Sequence, residues 1–164
     1  GLIKFIDAYR EYTSLPKPVF TTVRLKDLVD KVATLMKEEL KRTNIHFTAT
    51  CSSDYLTIQA DEEMIEQVLI NLLKNAKEAL GETPNASLKL LARHQDNAVK
   101  IEVIDNGPGI IKEAIENIFV PFYTTKRSGS GIGLSLSRQI MQLHNGSITV
   151  VSEPDVETVF TLRF

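Results

Sequence analysis

The chain has 164 residues, 43% of them hydrophobic and 24% charged, with a net charge of −2. That length carries one domain with its own core, the charge argues against non-specific nucleic-acid binding, and no apolar run approaches the roughly 18 residues of a membrane span. The single cysteine, Cys51, excludes an internal disulfide framework and fits a reducing compartment, and His46, His94 and His144 lack zinc-ligand spacing.

Leu2 to Thr13, "LIKFIDAYREYT", places Leu2, Phe5, Ile6 and Tyr9 at helical spacing. It reads as if entered mid-helix, so the expectation is a fragment of a longer protein. Pro16 and Pro18 stop this helix and stiffen an extended connection, which puts a boundary there: 1–15 the end of a helix belonging to another domain, 16–22 a linker, 23–164 the main domain. Residues 25–42 predict a helix whose one face carries Leu25, Leu28, Val29, Val32, Leu35, Met36 and Leu40. Two short strands follow, Ile45–Thr50 and Leu56–Ala60. Asp61 is a natural N-cap for a helix running to about Leu80, with Glu62 and Glu63 at its positive end and Gly81 to stop it. Strands over about 86–93 and 98–104, joined by "HQDN", predict a hairpin. A loop-rich stretch covers 105–131, a helix spans about 132–144, and two strands, 147–152 and 157–163, close the chain. The fold class is α+β, a mostly antiparallel mixed sheet with helices on one face.

Three stretches carry chemistry. On the helix 61–80, Asn71, Asn75 and Glu78 sit beside the core stripe of Ile65, Val68, Leu69, Leu72, Leu73, Ala76 and Leu80. Asn is a poor helix-interior residue because its side chain competes for the backbone. A solvated face would more usually carry Lys, Glu or Gln, whereas an amide oxygen suits a hard cation already sharing phosphate oxygens. Second, "VIDNGPGI" ends a strand with Asp105, an acceptor fit for an exocyclic amine, followed by Gly107 and Gly109, which let a ligand approach the backbone. Taken alone it is also ordinary turn chemistry. Third, Gly129, Gly131 and Gly133 alternate just before a helix, whose N-terminus is an anion site; Thr124 to Ser130 add donors and read as a mobile lid. Phe119 and Phe122 anchor the base of that lid or belong to the core. A dinucleotide fingerprint is the competing reading of these glycines, with Glu153 as its acid. The third glycine of that fingerprint falls at Leu134, and "FYTTKRS" is no buried parallel strand.

In order along the chain, "NLLKNAKEA", "DNGPGI", "IFVPFYTTK" and "GSGIGLSLS" resemble the N box, first glycine box, F box and second glycine box of sensor histidine kinases, in the GHKL ATPase superfamily. The resemblance covers about residues 19–164, and "FIDAYREYTSLPKP" looks like the end of a dimerisation helix of the nitrogen-regulation type. It implies a two-layer α/β sandwich of the Bergerat type that binds ATP and Mg²⁺. By that resemblance Asp105 and Thr158 hold the adenine amine, and Gly107 and Gly109 shape its pocket. Asn75 binds the metal and Asn71 lies beside the phosphates. Lys126, Gly131 and Gly133 face the phosphate tail, with Asn75 and Lys126 serving the transfer itself. Gyrase-type relatives carry a catalytic Glu where Asn71 stands, so poor ATP hydrolysis and transfer to a histidine are expected instead. Glu78 departs from a phosphate-contacting Lys of some members, and "SEPDVETVF" lacks the glycine that often precedes the Thr. No phosphoacceptor box is present, and His46, His94 and His144 read as structural or surface residues. His144 lies at a helix end whose negative dipole would suit it.

The implied partners are ATP, the dimerisation domain of the same protein and a response regulator, with membrane contact only through missing upstream segments. The domain is expected in the cytoplasm, as a monomer, on a parent that is inner-membrane-anchored or not. A nucleotide-dependent partner-binding module and an anti-sigma-type serine kinase remain the alternatives.

Overall fold

In the computed structural model, which describes Leu2, Ile3, Ile6 and residues 15–123 and 131–164, the strands and helices from Thr21 onward follow one another in this order. They are β1 (Thr21–Arg24), α1 (Leu25–Leu40), β2 (His46–Cys51), β3 (Thr57–Ala60), α2 (Glu62–Leu80), β4 (Ser87–Gln95), β5 (Ala98–Asp105), α3 (Lys112–Ile115), α4 (Gly133–Leu143), β6 (Ser147–Glu153) and β7 (Glu157–Arg163). Five strands form one sheet in the order β2-β4-β5-β7-β6. The β2–β4 pair is parallel and the other three pairs are antiparallel.

Period-two alternation decides which way the sheet faces. Leu88, Leu90 and Ala92 on β4 stand opposite Asp105, Val103 and Ile101 on β5, and Ile101 and Val103 stand opposite Leu162 and Phe160 on β7. All of these are buried, packed with the apolar stripes of α1, α2 and α4 into one core. The stripe predicted for α2 is buried in full, with Met64 added. Asp61 caps this helix by accepting from the Met64 N–H at 3.3 Å, and Gly81 (φ +42°) ends it with its N–H on the Lys77 carbonyl. The β4–β5 hairpin turns through Asp96 and Asn97, both left-handed at φ 54° and 58°, the geometry a two-residue turn between twisted strands prefers.

Differences from the sequence reading are local. β1 pairs antiparallel with β3 in a small second sheet, Val23 facing Ile58, and begins within the stretch 16–22 read as linker. Four residues with one buried side chain carry too little pattern to announce a strand. A single turn of helix, α3, lies in the stretch read as loop and buries none of its side chains. The helix expected over 2–13 falls outside the described residues except at Leu2, Ile3 and Ile6, which are helical and exposed.

Of the three histidines read as structural or surface residues, His144 is the structural one. It is buried, and its Nε2 lies 3.0 Å from the Asp61 N–H, which can only donate. Nε2 is therefore the acceptor, and Nδ1–H donates to the Ile140 carbonyl at 2.7 Å. Those two bonds require the neutral ring in a single tautomer. His46 and His94 are exposed, as read.

Candidate functional site

Where β5, β7 and β6 run out together, the core face of the sheet changes from apolar to polar. Two register positions beyond the Val103–Phe160 pair come Asp105 and Thr158 opposite each other, with Ser152 opposite Thr158 on β6. Asp105 is 5% exposed and Thr158 3%. Alternation forces this: side chains two residues past a core position point to the same face. Asp105 Oδ1 accepts the Gly107 N–H at 2.9 Å. Oδ2 has no protein partner among the described residues. Burial pushes the Asp105 carboxyl above the usual carboxylate range, opposed in part by the Gly107 N–H.

The backbone that follows is held close. A Cβ on Gly107 would lie 3.0 Å from Asp105 Oδ1 and 3.2 Å from the Ala79 carbonyl oxygen. Gly109 adopts φ +85°, and a Cβ there would sit 2.9 Å from both Pro154 Cα and Ser152 Oγ. Glycine is the residue that fits both positions.

Asp105 and Thr158 lie on the wall of a cavity of about 590 Å³, closed on one side by Asn75, Ala76 and Glu78 of α2 and on the other by Gly109, Ile110, Ile118 and Tyr123. The lining is mostly apolar with a few convergent polar groups, the usual make-up of a small-molecule site. Phe119 packs edge-on against Phe160 behind it, ring centroids 6.4 Å apart, and so belongs to the core.

One helical turn away, Asn71 faces a second cleft, of about 300 Å³, between α2 and α4. Its Nδ2 donates to Ser137 Oγ at 3.3 Å, and that hydroxyl donates to the Gly133 carbonyl at 2.8 Å. A Cβ on Gly133 would approach Asn71 Oδ1 to 2.5 Å, so the glycine lets the start of α4 close against α2. Among the described residues no side chain caps that start, where the first N–H groups of a helix lack intrahelical partners. Gly131 (φ +76°) crosses the backbone of Phe122, itself at φ 66°, with no room for a side chain.

The structure thus brings Asn75, Asp105, Gly109 and Thr158 to one cavity, with Gly107 bonded behind Asp105, and sets Asn71 and Gly133 in the adjoining cleft. Lys126 and the stretch 124–130 lie outside the described residues. Ser152 and Ser137 were missed in the sequence, because their place depends on partners distant in the chain. Among the described residues no group of three or more His, Cys, Asp or Glu side chains could hold a metal ion, and no helix is long and apolar enough to cross a membrane.

A family profile described as "Histidine kinase-, DNA gyrase B-, and HSP90-like ATPase" matches residues 60–164. The signal transduction histidine-protein kinase AtoS of Escherichia coli is 33% identical over 159 residues, covering 97% of this chain and 26% of that protein. The chain therefore spans about a quarter of the length of that curated relative. Among solved structures, the nucleotide-free catalytic domain of histidine kinase ThkA superposes with a TM-score of 0.78 at 36% identity, covering 89% of this chain and 95% of that one. ThkA in complex with the response regulator TrrA gives 0.82 at 32% identity, covering 99% and 46%. Full-length ShkA in complex with AMPPNP gives 0.86 at 26% identity, covering 99% and 35%. This chain belongs to the histidine kinase-, DNA gyrase B- and HSP90-like ATPase family, and its likeness within it is to the ATP-binding catalytic domains of sensor histidine kinases.

Proposed function

We propose that this chain binds ATP together with Mg²⁺ and, in its full-length protein, delivers the γ-phosphoryl group to a histidine on a dimerisation domain, from which it passes to a response regulator. One observation carries the reading: a buried carboxylate, Asp105, has one oxygen tied to Gly107 and the other without a protein partner among the described residues, at the wall of a mostly apolar cavity. An acceptor so placed suits an exocyclic amine on a flat apolar ring. Asp105 with Thr158 receives the adenine amine, and Gly107 and Gly109 let the ring lie against the backbone.

Asn75 offers one neutral amide oxygen, and the described residues supply no acidic cage around it. That donor set fits Mg²⁺, which takes few protein ligands and completes its shell with water and phosphate oxygens. Bound there, the ion neutralises charge on the triphosphate. Asn71 lies beside the phosphates, and the amides near Gly131 and Gly133 at the start of α4 receive the phosphate tail. The family resemblance assigns Lys126 to the phosphate tail as well. The chemistry left to the protein is positioning and charge neutralisation, with Asn75 and Lys126 its chief agents. Asn71 cannot act as a general base, and its amide already donates to Ser137. The site therefore holds ATP with little hydrolysis and keeps the γ-phosphoryl for an acceptor histidine. The AMPPNP complex of ShkA and the ThkA–TrrA complex support both halves of the reading.

The division into a dimerisation-helix end (1–15), a linker (16–22) and a catalytic domain (23–164) goes with this function, as does a cytoplasmic place for the domain, where ATP is supplied. Calorimetric titration of AMPPNP, with and without Mg²⁺, into this chain and into Asp105→Asn is the test. Metal-dependent binding that weakens in the variant is expected. A wild-type chain that binds no nucleotide sinks the proposal in favour of a partner-binding module.

A further inference from the structure

Ser152 lies one strand further from the cavity than Thr158 and is not among the residues lining it. Its Oγ lies 2.9 Å from the Ile110 N–H and 2.8 Å from Thr158 Oγ1. We infer that Ser152 is a positioning residue: it turns the Thr158 hydroxyl into a hydrogen-bond donor toward the cavity and thereby makes the site select a 6-aminopurine over a 6-oxopurine. The inference rests on the reading of Asp105 as the amine acceptor.

The direction of the bonds follows from what each group can do. A backbone N–H only donates, so Ser152 Oγ accepts from Ile110. A serine hydroxyl has one proton to give, and Thr158 Oγ1 is the acceptor within reach. The reverse arrangement would give the Ser152 oxygen two donors and leave its own proton with no acceptor among the described residues. A Cβ added at Gly109 would stand 2.9 Å from the same oxygen, so the glycine leaves the Ser152 hydroxyl its place. With Ser152 donating, the Thr158 oxygen is an acceptor outward and its proton is left for the cavity.

Asp105 and Thr158 are register partners on one face, and both line the cavity. The site then offers an acceptor, the free Asp105 oxygen, beside a donor, the Thr158 hydroxyl. A 6-aminopurine presents the complement, an amine beside an unprotonated ring nitrogen, met directly or through one water. A 6-oxopurine presents the inverse, a carbonyl beside a ring N–H, setting acceptor against acceptor and donor against donor. Sites that pair a substrate's hydrogen-bonding edge discriminate strongly because the wrong partner strands buried polar groups.

Titration of AMPPNP and GMPPNP, each with Mg²⁺, into the wild-type chain, Ser152→Ala and Ser152→Thr tests this, with thermal unfolding of each. The wild type should prefer AMPPNP. Ser152→Ala should lose about tenfold in AMPPNP affinity while GMPPNP changes by less than about twofold, and Ser152→Thr, which keeps a hydroxyl, should restore the preference. Loosening of the 107–111 backbone alone would weaken both nucleotides by the same factor, and that result overturns the inference, as does an Ala variant with its preference intact. Ser152→Cys, nearly isosteric and a poor donor, replaces Ala if that variant does not fold, with the same expectation. A wild-type chain that binds neither nucleotide fails the reading of Asp105 and this inference with it.

Discussion

The two ends of α2 each hold a buried polar cluster, and they differ in whether the protein completes them. At the N-terminal end every group is closed. Asp61 Oδ1 accepts from Met64 N–H and Oδ2 from Val19 N–H at 2.9 Å, its own N–H donates to His144, and His144 passes its other proton to Ile140. The Phe20 ring meets the imidazole edge-on at 5.2 Å. Toward the C-terminal end, Asp105, Thr158 and Asn75 surround a cavity, and one Asp105 oxygen has no protein partner among the described residues. Burying a carboxylate with spare acceptor capacity is costly. Completed clusters fix architecture; here one ties the segment at Val19 and Phe20 to the ends of α2 and α4. Incomplete clusters await a ligand.

The contrast can be broken by substitution. His144→Ala should have the largest effect, about 3 kcal/mol of stability, since it opens a hole in place of the buried ring and strands the half-buried Asp61 N–H. Chemical denaturation measures it, and AMPPNP affinity of the folded variant should stay within about twofold. A variant that keeps its stability but loses nucleotide would invert the assignment of the two ends. Asp105→Asn should do the opposite, weakening AMPPNP by about 2 kcal/mol, roughly 30-fold, with no loss of thermal stability. Asp61→Ala should cost about 1 kcal/mol as a lost helix cap, read as a shift of the denaturation midpoint.

The subtlest effect is in pH. The folded Asp105 pKa is raised by burial. Between the ordinary carboxylate value and the raised one the native state holds a proton that the unfolded chain has released. This group's contribution to stability therefore falls as pH rises through that window and is recovered on acidification. Wild type compared with Asp105→Asn should show stability gained on acidification, while AMPPNP affinity declines as the acceptor is neutralised. A difference that is flat with pH would place Asp105 in contact with water.

Several residues at the cavity end could be picked out in the chain. Asn71 and Asn75 stood out because asparagine is out of place inside a helix, and "DNGPG" because an acid and two glycines follow a strand. At the closed end only the Asp61 cap could be read. His144 sits 83 residues from Asp61, whose N–H decides its tautomer, and nothing in "LHNG" announces that partner. Ser152 likewise means nothing until β6 and β7 are in register.

Local rules decided the rest from the sequence alone: the apolar stripe and Asp61 cap of α2, the left-handed turn at Asp96 and Asn97, and the alternation along β4, β5 and β7. Each needs contacts only within a few residues. The tertiary structure alone decided which polar groups are completed by the protein and which, among the described residues, are left open at the cavity. That depends on donors and acceptors brought together from β5, β6, β7 and α2, and hydrogen-bond capacity is settled only when every neighbour of a buried group is in place.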